Sequence, residues 1–556
     1  MAKNIVKDSG LASRNVDVPQ TQRANKRQVK NNAGGYVYSV DRLEHLRRFL
    51  ILGSDGGTFY VGKKKFAKEN AKNVTKLFKT TEGGMAAIDE TIAVSNEGRA
   101  AKNDPAIFVM ALAASCDNDE IRKYALDNLN KVCRIGTYLF SFVTYVDQMR
   151  GWGRGLRKAI GSWYTSKTPN SVAFQACKYP QRKVEGEASW SHRDLLRKIH
   201  LIPGSKDMQT VLKYIVKGRK GFTKVQFAKL EKNDATRYIW AHETAKTVDD
   251  SKEMVSMIKK YGLVRESVPN TLYDKKVWKA LLDGMPMTAM IRNIRNMTKA
   301  GVLTPLSSST KYVCETLRNE EVLHKARIHP LSVLAAMCAY SNQFTHSYWG
   351  YPTSLGYEPV PQILDALDDA FYLSFKNVEP TGKNILLAVD VSGSMAGGEV
   401  SGIRNMSPCV AAAAMAMVFA RTEPNYHIMG FAHNLVDLKI TAKDSIQTAM
   451  KKAQMSNFGG TDAAIATNWA KSKNVDVDAF VILSDMETWA GETHVDRSLK
   501  LYRDSKKRRN DAKMIACGML ANPYSITDNE DRNSLNVVGF DTATPQMVSD
   551  FILGKI

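Results

Sequence analysis

The hydrophobic pattern of this 556-residue chain changes period once, near Glu379-Pro380-Thr381-Gly382. Before that point apolar residues recur at i, i+3, i+4 and i+7, as in Ile107, Met110, Ala111 and Ala114, or Met287, Met290, Ile291 and Ile294. That spacing puts side chains on one face of a helix. After it, helical stretches alternate with short apolar runs at 385–389, 426–431, 479–483 and 513–519. Runs apolar at nearly every position read as strands buried on both faces of a parallel sheet. The chain is therefore expected to be multidomain. Residues 34–375 read as an irregular all-α solenoid of stacked helices, and 376–556 as a doubly wound α/β domain. Residues 1–33, polar with Arg23, Lys26, Arg27 and Lys30, read as a flexible basic tail.

Charge divides at nearly the same place. Of 78 basic and 56 acidic residues, 20 of each lie after Ala370, so the whole net charge of +22 belongs to the first 370 residues. A basic excess confined to one part implies a polyanionic partner for that part. The first residues, Met1-Ala-Lys-Asn, lack an apolar h-region, so no secretory signal is expected. The longest apolar stretch, 409–420, is mostly alanine and falls short of the roughly 20 residues that a membrane span needs. Seven scattered cysteines without a CxxC pair suit free thiols in a reducing, cytoplasmic setting and no zinc site.

Three polar clusters mark the later part: Asp390-Val-Ser392-Gly-Ser394 and Ser484-Asp485, which end the runs at 385–389 and 479–483, and Gly459-Gly-Thr461-Asp462, a loop between two helical stretches. In open α/β sheets ligands bind beyond the carboxyl ends of the strands. Carboxylate and hydroxyl oxygens gathered there favour a hard divalent cation, Mg2+ or Mn2+. The competing reading makes Ser392, Ser394 and Thr461 helix caps. No Ser-His-Asp arrangement stands out, and His427, His433 and His494 read as packed or surface histidines, so no enzyme is expected.

The basic part carries candidate phosphate contacts. Around 152–163, Leu156, Ile160 and Trp163 share one helical face, and Arg154, Arg157 and Lys158 another. Lys178 and Arg182 lie in a basic loop that also holds Tyr179. Ser191-His-Arg-Asp194 reads as a capping box opening a helix with Leu195, Leu196 and Ile199 inward and Arg193, Arg197 and His200 outward. Each alone reads as a solvated face. Together with the segregated charge they point to RNA or another polyanion, with aromatics free to stack on unpaired bases.

Gly151-Trp-Gly-Arg154, Leu156-Arg-Lys-Ala-Ile160, Trp190-Ser-His192, Asp194-Leu-Leu-Arg197 and Lys325-Ala-Arg-Ile-His-Pro330 resemble the Ro ribonucleoprotein family of TROVE-domain proteins. So do Glu379-Pro-Thr-Gly-Lys383, Arg421-Thr-Glu423 and Gly539-Phe-Asp-Thr542, and the likeness runs from Gly34 to the C-terminus. The three polar clusters are similar to the metal-ion-dependent adhesion site of von Willebrand factor A (vWA) domains. The resemblance implies a ring of HEAT-like helical repeats joined to a vWA module. It implies Ser392, Ser394 and Thr461 as direct ligands, with Asp390 and Asp485 acting through water. It further implies Y RNA held by Lys178, Arg182 and His200, capture of 3′ single-stranded ends of misfolded noncoding RNA, and a role in RNA quality control. A 3′ exoribonuclease and an acidic protein ligand at the metal are the implied protein partners. One departure is the insertion at 183–189, beside the RNA contacts. The rival class is a protein-binding scaffold working through the metal module, with the basic helices merely solvated.

Overall fold

The computed structural model describes residues 17–53, 72–182, 190–341, 356–375, 378–397, 400, 406–454, 459–505 and 511–556. They form two compact units. Val74–Gly98 and Lys102–Ser374 make a helical unit; described residues of Met1–Asn73, Arg99–Ala101 and Phe375–Ile556 make an α/β unit. The strands among the described residues are β1 (Val29–Lys30), β2 (Tyr36–Ser39), β3 (Gln181–Arg182), β4 (Trp190–Ser191), β5 (Asn384–Asp390), β6 (Asn425–Phe431), β7 (Leu435–Asp437), β8 (Ala479–Ser484), β9 (Lys513–Gly518), β10 (Tyr524–Ser525) and β11 (Ser534–Val538).

The main sheet of the α/β unit has the order β11-β9-β8-β5-β6-β7, parallel except for the β6–β7 edge. The expected apolar runs become β5, β6, β8 and β9. Residues 385–390 and the whole of β8 are buried. Alternate side chains serve opposite layers. Leu386 and Ala388 join Phe480, Ile482, Met514 and Ala516 under the helices Ile465–Ser472 and Val495–Ser505. The Pro408–Thr422 helix packs against β5 and β8 and is buried from Cys409 to Ala420, where its alanines let helix and sheet approach closely. Chain order reverses between β5 and β8, so the crevice at their carboxyl ends is the topological switch point.

Residues 17–33 fall in the stretch read from sequence as a flexible tail, and the structure corrects that reading. Gln20, Gln28 and Asn31 are buried against the segment 487–494. Gln20 Nε2 donates to Asp462 Oδ1 (2.8 Å) and Thr493 O (3.0 Å), and Asn31 Nδ2 donates to Thr488 O (2.9 Å). Strand β2 pairs with both β1 and β10, and the following Arg42–Leu52 helix packs against β11. Arg48 is fully buried there and donates to the carbonyls of Asn522 (3.2 Å) and Tyr524 (2.7 Å). The tail composition misleads because this strap buries amides rather than hydrocarbon, and each amide meets a partner.

In the helical unit, neighbours in sequence pack on one another. Asp104–Ser115 meets Thr81–Glu97, Asp119–Asp127 and Gly136–Met149, and Pro361–Leu373 meets Ser308–Leu317 and Pro330–Ser341. The two-residue ladder β3–β4 is an exception to the all-helical expectation, too short to show a period of two. His192 is a hub of the unit. Its ring lies 4.8 Å from Phe140 and 5.7 Å from Tyr164, and its Nδ1 is 2.7 Å from Tyr164 Oη. Burial pushes its pKa down to about 3.

Two outcomes follow from these contacts. A Cβ on Gly35 would fall 1.9 Å from Thr488 O, so Gly35→Ala should lift the strap and lower α/β-unit stability by about 1–3 kcal/mol in denaturant titration. For His192 the unfolded ring takes up a proton near pH 6.5 and the folded ring does not. Its stabilising contribution is therefore complete above pH 6.5 and is lost as pH falls toward 3. Melting of the helical unit should be lower at pH 5 than at pH 7.5, and His192→Gln should shrink that difference.

Candidate metal centre and nucleic-acid interface

Asp390 ends β5 and Asp485 follows β8, which places two buried carboxylates at the switch point. Asp390 Oδ1 accepts from Ser392 N (2.9 Å) and Oδ2 from Ser484 Oγ (2.6 Å). The Ser392 and Ser394 hydroxyls lie 3.0 Å apart. Asp485 Oδ1 accepts from Glu487 N (3.0 Å), while its Oδ2 is buried with no hydrogen-bond partner. Between them Met486 is held at φ 63°, a left-handed conformation that costs a methionine roughly 1–3 kcal/mol. The Ser484 hydroxyl, accepting from Met486 N (3.0 Å), helps to fix that turn.

The electrostatics are unfavourable as they stand. Burial, then the nearby Asp485 carboxylate, push Asp390 above the ordinary carboxylate range, and burial raises Asp485 as well. Burial followed by Asp485 also pushes Glu487 up to about 7. Among the described residues neither Asp390 nor Asp485 has an ion-pair partner. Buried like charges of this kind call for an added cation or a shared proton.

Thr461 is buried in the second loop. Its carbonyl accepts from Trp489 N and Ala490 N, both at 2.9 Å, and the next residue, Asp462, donates its N–H to Ala432 O just past β6 (3.0 Å). Loop two is therefore tied by its backbone to loop three and to the end of β6. Asp390, Ser392 and Ser394 are joined by direct bonds or contacts; Asp485 joins through its charge and the Ser394 hydroxyl; Thr461 joins through the amides of Trp489 and Ala490 and the Thr488 hydroxyl (3.0 Å). No cluster of three or more His, Cys, Asp or Glu side chains suited to a metal occurs among the described residues. The donor set is two carboxylates with hydroxyls, and it fits Mg2+ or Mn2+ better than a softer ion. His494, read as non-catalytic, is bound to the strap through Gln28 Nε2 (3.1 Å) and Gln22 O (2.8 Å).

The basic candidates lie on packed helices of the other unit. Arg154–Thr165 buries Leu156, Ile160 and Trp163 and leaves Arg154, Arg157 and Lys158 exposed. It packs on His192–Ile199, which opens with the expected capping box of Ser191 and Asp194. On that helix Arg193 and Arg197 are exposed, and His200 caps its end, exposed, at φ 50°. Lys178 closes the Pro169–Lys178 helix, half-buried, with its ammonium 5.4 Å from the Phe174 ring and 5.2 Å from the Tyr179 ring. The Arg182 backbone pairs with Trp190; its side chain and the 183–189 insertion lie outside the described residues.

Sequence reasoning passed over Trp152, Trp190 and Lys198 as a group. The two indoles lie 5.4 Å apart, and the Lys198 ammonium sits 5.6 Å from the Trp152 ring. The adjoining Gly-Trp-Gly-Arg and Trp-Ser-His stretches were the available signal.

A family model described as TROVE domain matches residues 29–270 and 263–346, and one described as Ro60 vWA domain matches 384–552. The RNA-binding protein RO60 of Deinococcus radiodurans is 39% identical over 540 residues, covering 97% of this chain and 98% of the relative. The protein of the same name from Caenorhabditis elegans is 34% identical over 608 residues, covering 97% of this chain and 92% of its own length. Among solved structures, the Deinococcus radiodurans RO (RSR) protein is similar at a TM-score of 0.66 and 37% identity, over 93% of this chain and 100% of that one.

Asp390→Asn supplies a test with opposite signs. Removing one of two buried like charges should leave the metal-free protein as stable as the parent or more so. The same change should abolish any rise in melting temperature on adding Mn2+. Loss of stability without metal, together with an undiminished Mn2+ effect, is the contrary result.

Proposed function

This chain belongs to the Ro60 family, the TROVE-domain proteins with a vWA domain, and from that premise we propose that it is an RNA-binding protein whose α/β unit takes a divalent cation. Two relatives that match nearly its whole length are named as RNA-binding proteins. The observation that carries the reading in this chain is the outward face of His192–Ile199 and its neighbour. Arg193, Arg197 and His200, with Arg154, Arg157 and Lys158, project from helices whose opposite faces are packed, and the described residues offer these six no ion pair. Cations held on rigid elements and left without carboxylates suit phosphate oxygens.

The finer reading assigns these faces, with Lys178 and Arg182, to a small structured Y-like noncoding RNA. Single-stranded 3′ ends of misfolded noncoding RNA are a second ligand, which makes the protein a participant in cytoplasmic RNA quality control beside a 3′ exoribonuclease. It binds and positions RNA without cutting it. At the switch point, Ser392, Ser394 and Thr461 would hold Mg2+ or Mn2+, with Asp390 and Asp485 supplying the balancing charge. Such an ion supplies an open coordination position for an acidic side chain of a protein partner. The buried, unpartnered Asp485 Oδ2 supports that fit.

Binding of a structured small RNA should weaken linearly on a log–log plot against salt. Replacing Arg193 and Arg197 by Ser should lower affinity and reduce that slope by about 1–2, with the melting temperature unchanged. A flat salt dependence in the parent protein would refute phosphate-led binding.

A further inference from the structure

Beside the Gly151-Trp152-Gly153-Arg154 segment the helical unit has a cavity of about 620 Å³. That size suits a small organic ligand. Trp152 lines it, and so do Arg150, Arg154 and Lys158, which are exposed and have no ion pair among the described residues. The other cations on the rim are already neutralised: Arg122 pairs with Asp119, and Lys123 lies 3.5 Å from Asp127. The net offer is three positive groups around one indole.

The backbone adds to it. Gly153 is the N-cap of the 12-residue Arg154–Thr165 helix, provides no side-chain cap, and is followed by a first turn without acidic residues. The free N–H groups and the positive end of the helix dipole therefore lie at the cavity edge. Gly151 adopts φ 78°, and a Cβ at Gly151 or Gly153 would meet nothing within 4 Å, so the backbone on either side of Trp152 is open. The indole itself is steadied by Trp190 and Lys198. A flat aromatic face beside unpaired cations and open backbone donors matches a base linked to a phosphate.

We propose that this cavity holds one unpaired ribonucleotide of a bound RNA, its base against Trp152 and its phosphate among Arg154, Lys158 and the helix N-terminus. The proposal rests on the RNA-binding reading and narrows it, because a paired base has no free face to offer. The site is separate from Lys178 and His200, neither of which lines the cavity.

The test compares a ten-nucleotide oligouridylate with a blunt RNA duplex, using the full chain. Trp152→Ala should weaken oligouridylate binding about tenfold or more and change duplex binding less than about twofold. Trp152→Phe, which keeps an aromatic face, should restore most of the loss. Because Trp152→Ala also removes a contact with Trp190, a second measurement uses the unaltered protein. Oligouridylate carrying 4-thiouridine should photocrosslink within residues 150–158. Equal loss on both RNAs, no rescue by Phe, or crosslinks confined elsewhere each overturns the cavity assignment while leaving RNA binding in place. Failure of the unaltered protein to bind either RNA overturns both.

Discussion

Two buried carboxylates at the end of a parallel sheet set demands that the rest of the α/β unit answers. Asp390 and Asp485 are placed by the β5–β8 switch point, where the described residues offer a crevice but no ion-pair partner. Neutral donors answer in part: the Ser392 amide, the Ser484 hydroxyl and the Glu487 amide. A third carboxylate, Glu487, is answered from far away in sequence. Asn32 N (2.9 Å), Asn32 Nδ2 (2.7 Å) and Ala33 N (3.1 Å) all donate to it. The polar strap is thus part of the electrostatics of the crevice, and its amide-rich composition follows from that duty. A hydrocarbon side chain at position 32 would keep the two backbone donors but remove the Asn32 Nδ2 bond to Glu487 Oε1.

The helical unit solves a different problem, which is to keep cations outward on short helices. Its answer is a polar aromatic hub. His192 is neutral and buried among Phe140, Trp163 and Tyr164, while Trp163 Nε1 donates to Cys133 O (2.5 Å). The hub fixes the start of the His192–Ile199 helix, and the capping box fixes its first turn. Arg193 and Arg197 then point outward by periodicity alone. Packing inside and charge outside are independent here, so the outer face can be varied at little expense to stability.

Much of this was legible in the chain. The change of period near Glu379 separated helical from α/β organisation, and runs apolar at each position became β5 and β8. Their end residues delivered Asp390 and Asp485 to one crevice, because strand ends and the switch-point rule are local and topological facts. The Ser191–Asp194 box was legible for the same reason: two residues three positions apart define it. The strap was not legible, since Gln20 and Asn31 find partners more than 440 positions away and polar residues carry no periodic signal of burial. The Trp152–Trp190–Lys198 group was missed because the contact joins two segments that local patterns treat separately. Thr461 was found by motif, yet its link to the third loop is its backbone carbonyl, which two amides and the Thr488 hydroxyl meet and which no side-chain pattern at Thr461 records.

The strap has a consequence for biogenesis. Its docking surface, including Thr488 and His494, is made more than 450 residues after the strap itself. At a synthesis rate of about 5–20 residues per second, the early segment waits on the order of half a minute or more for its seat. During that interval a ribosome-bound chain exposes the unpaired amides and strand edges of the strap. The α/β unit therefore closes only after the intervening helical unit has been made, joining segments that lie on either side of it in the sequence.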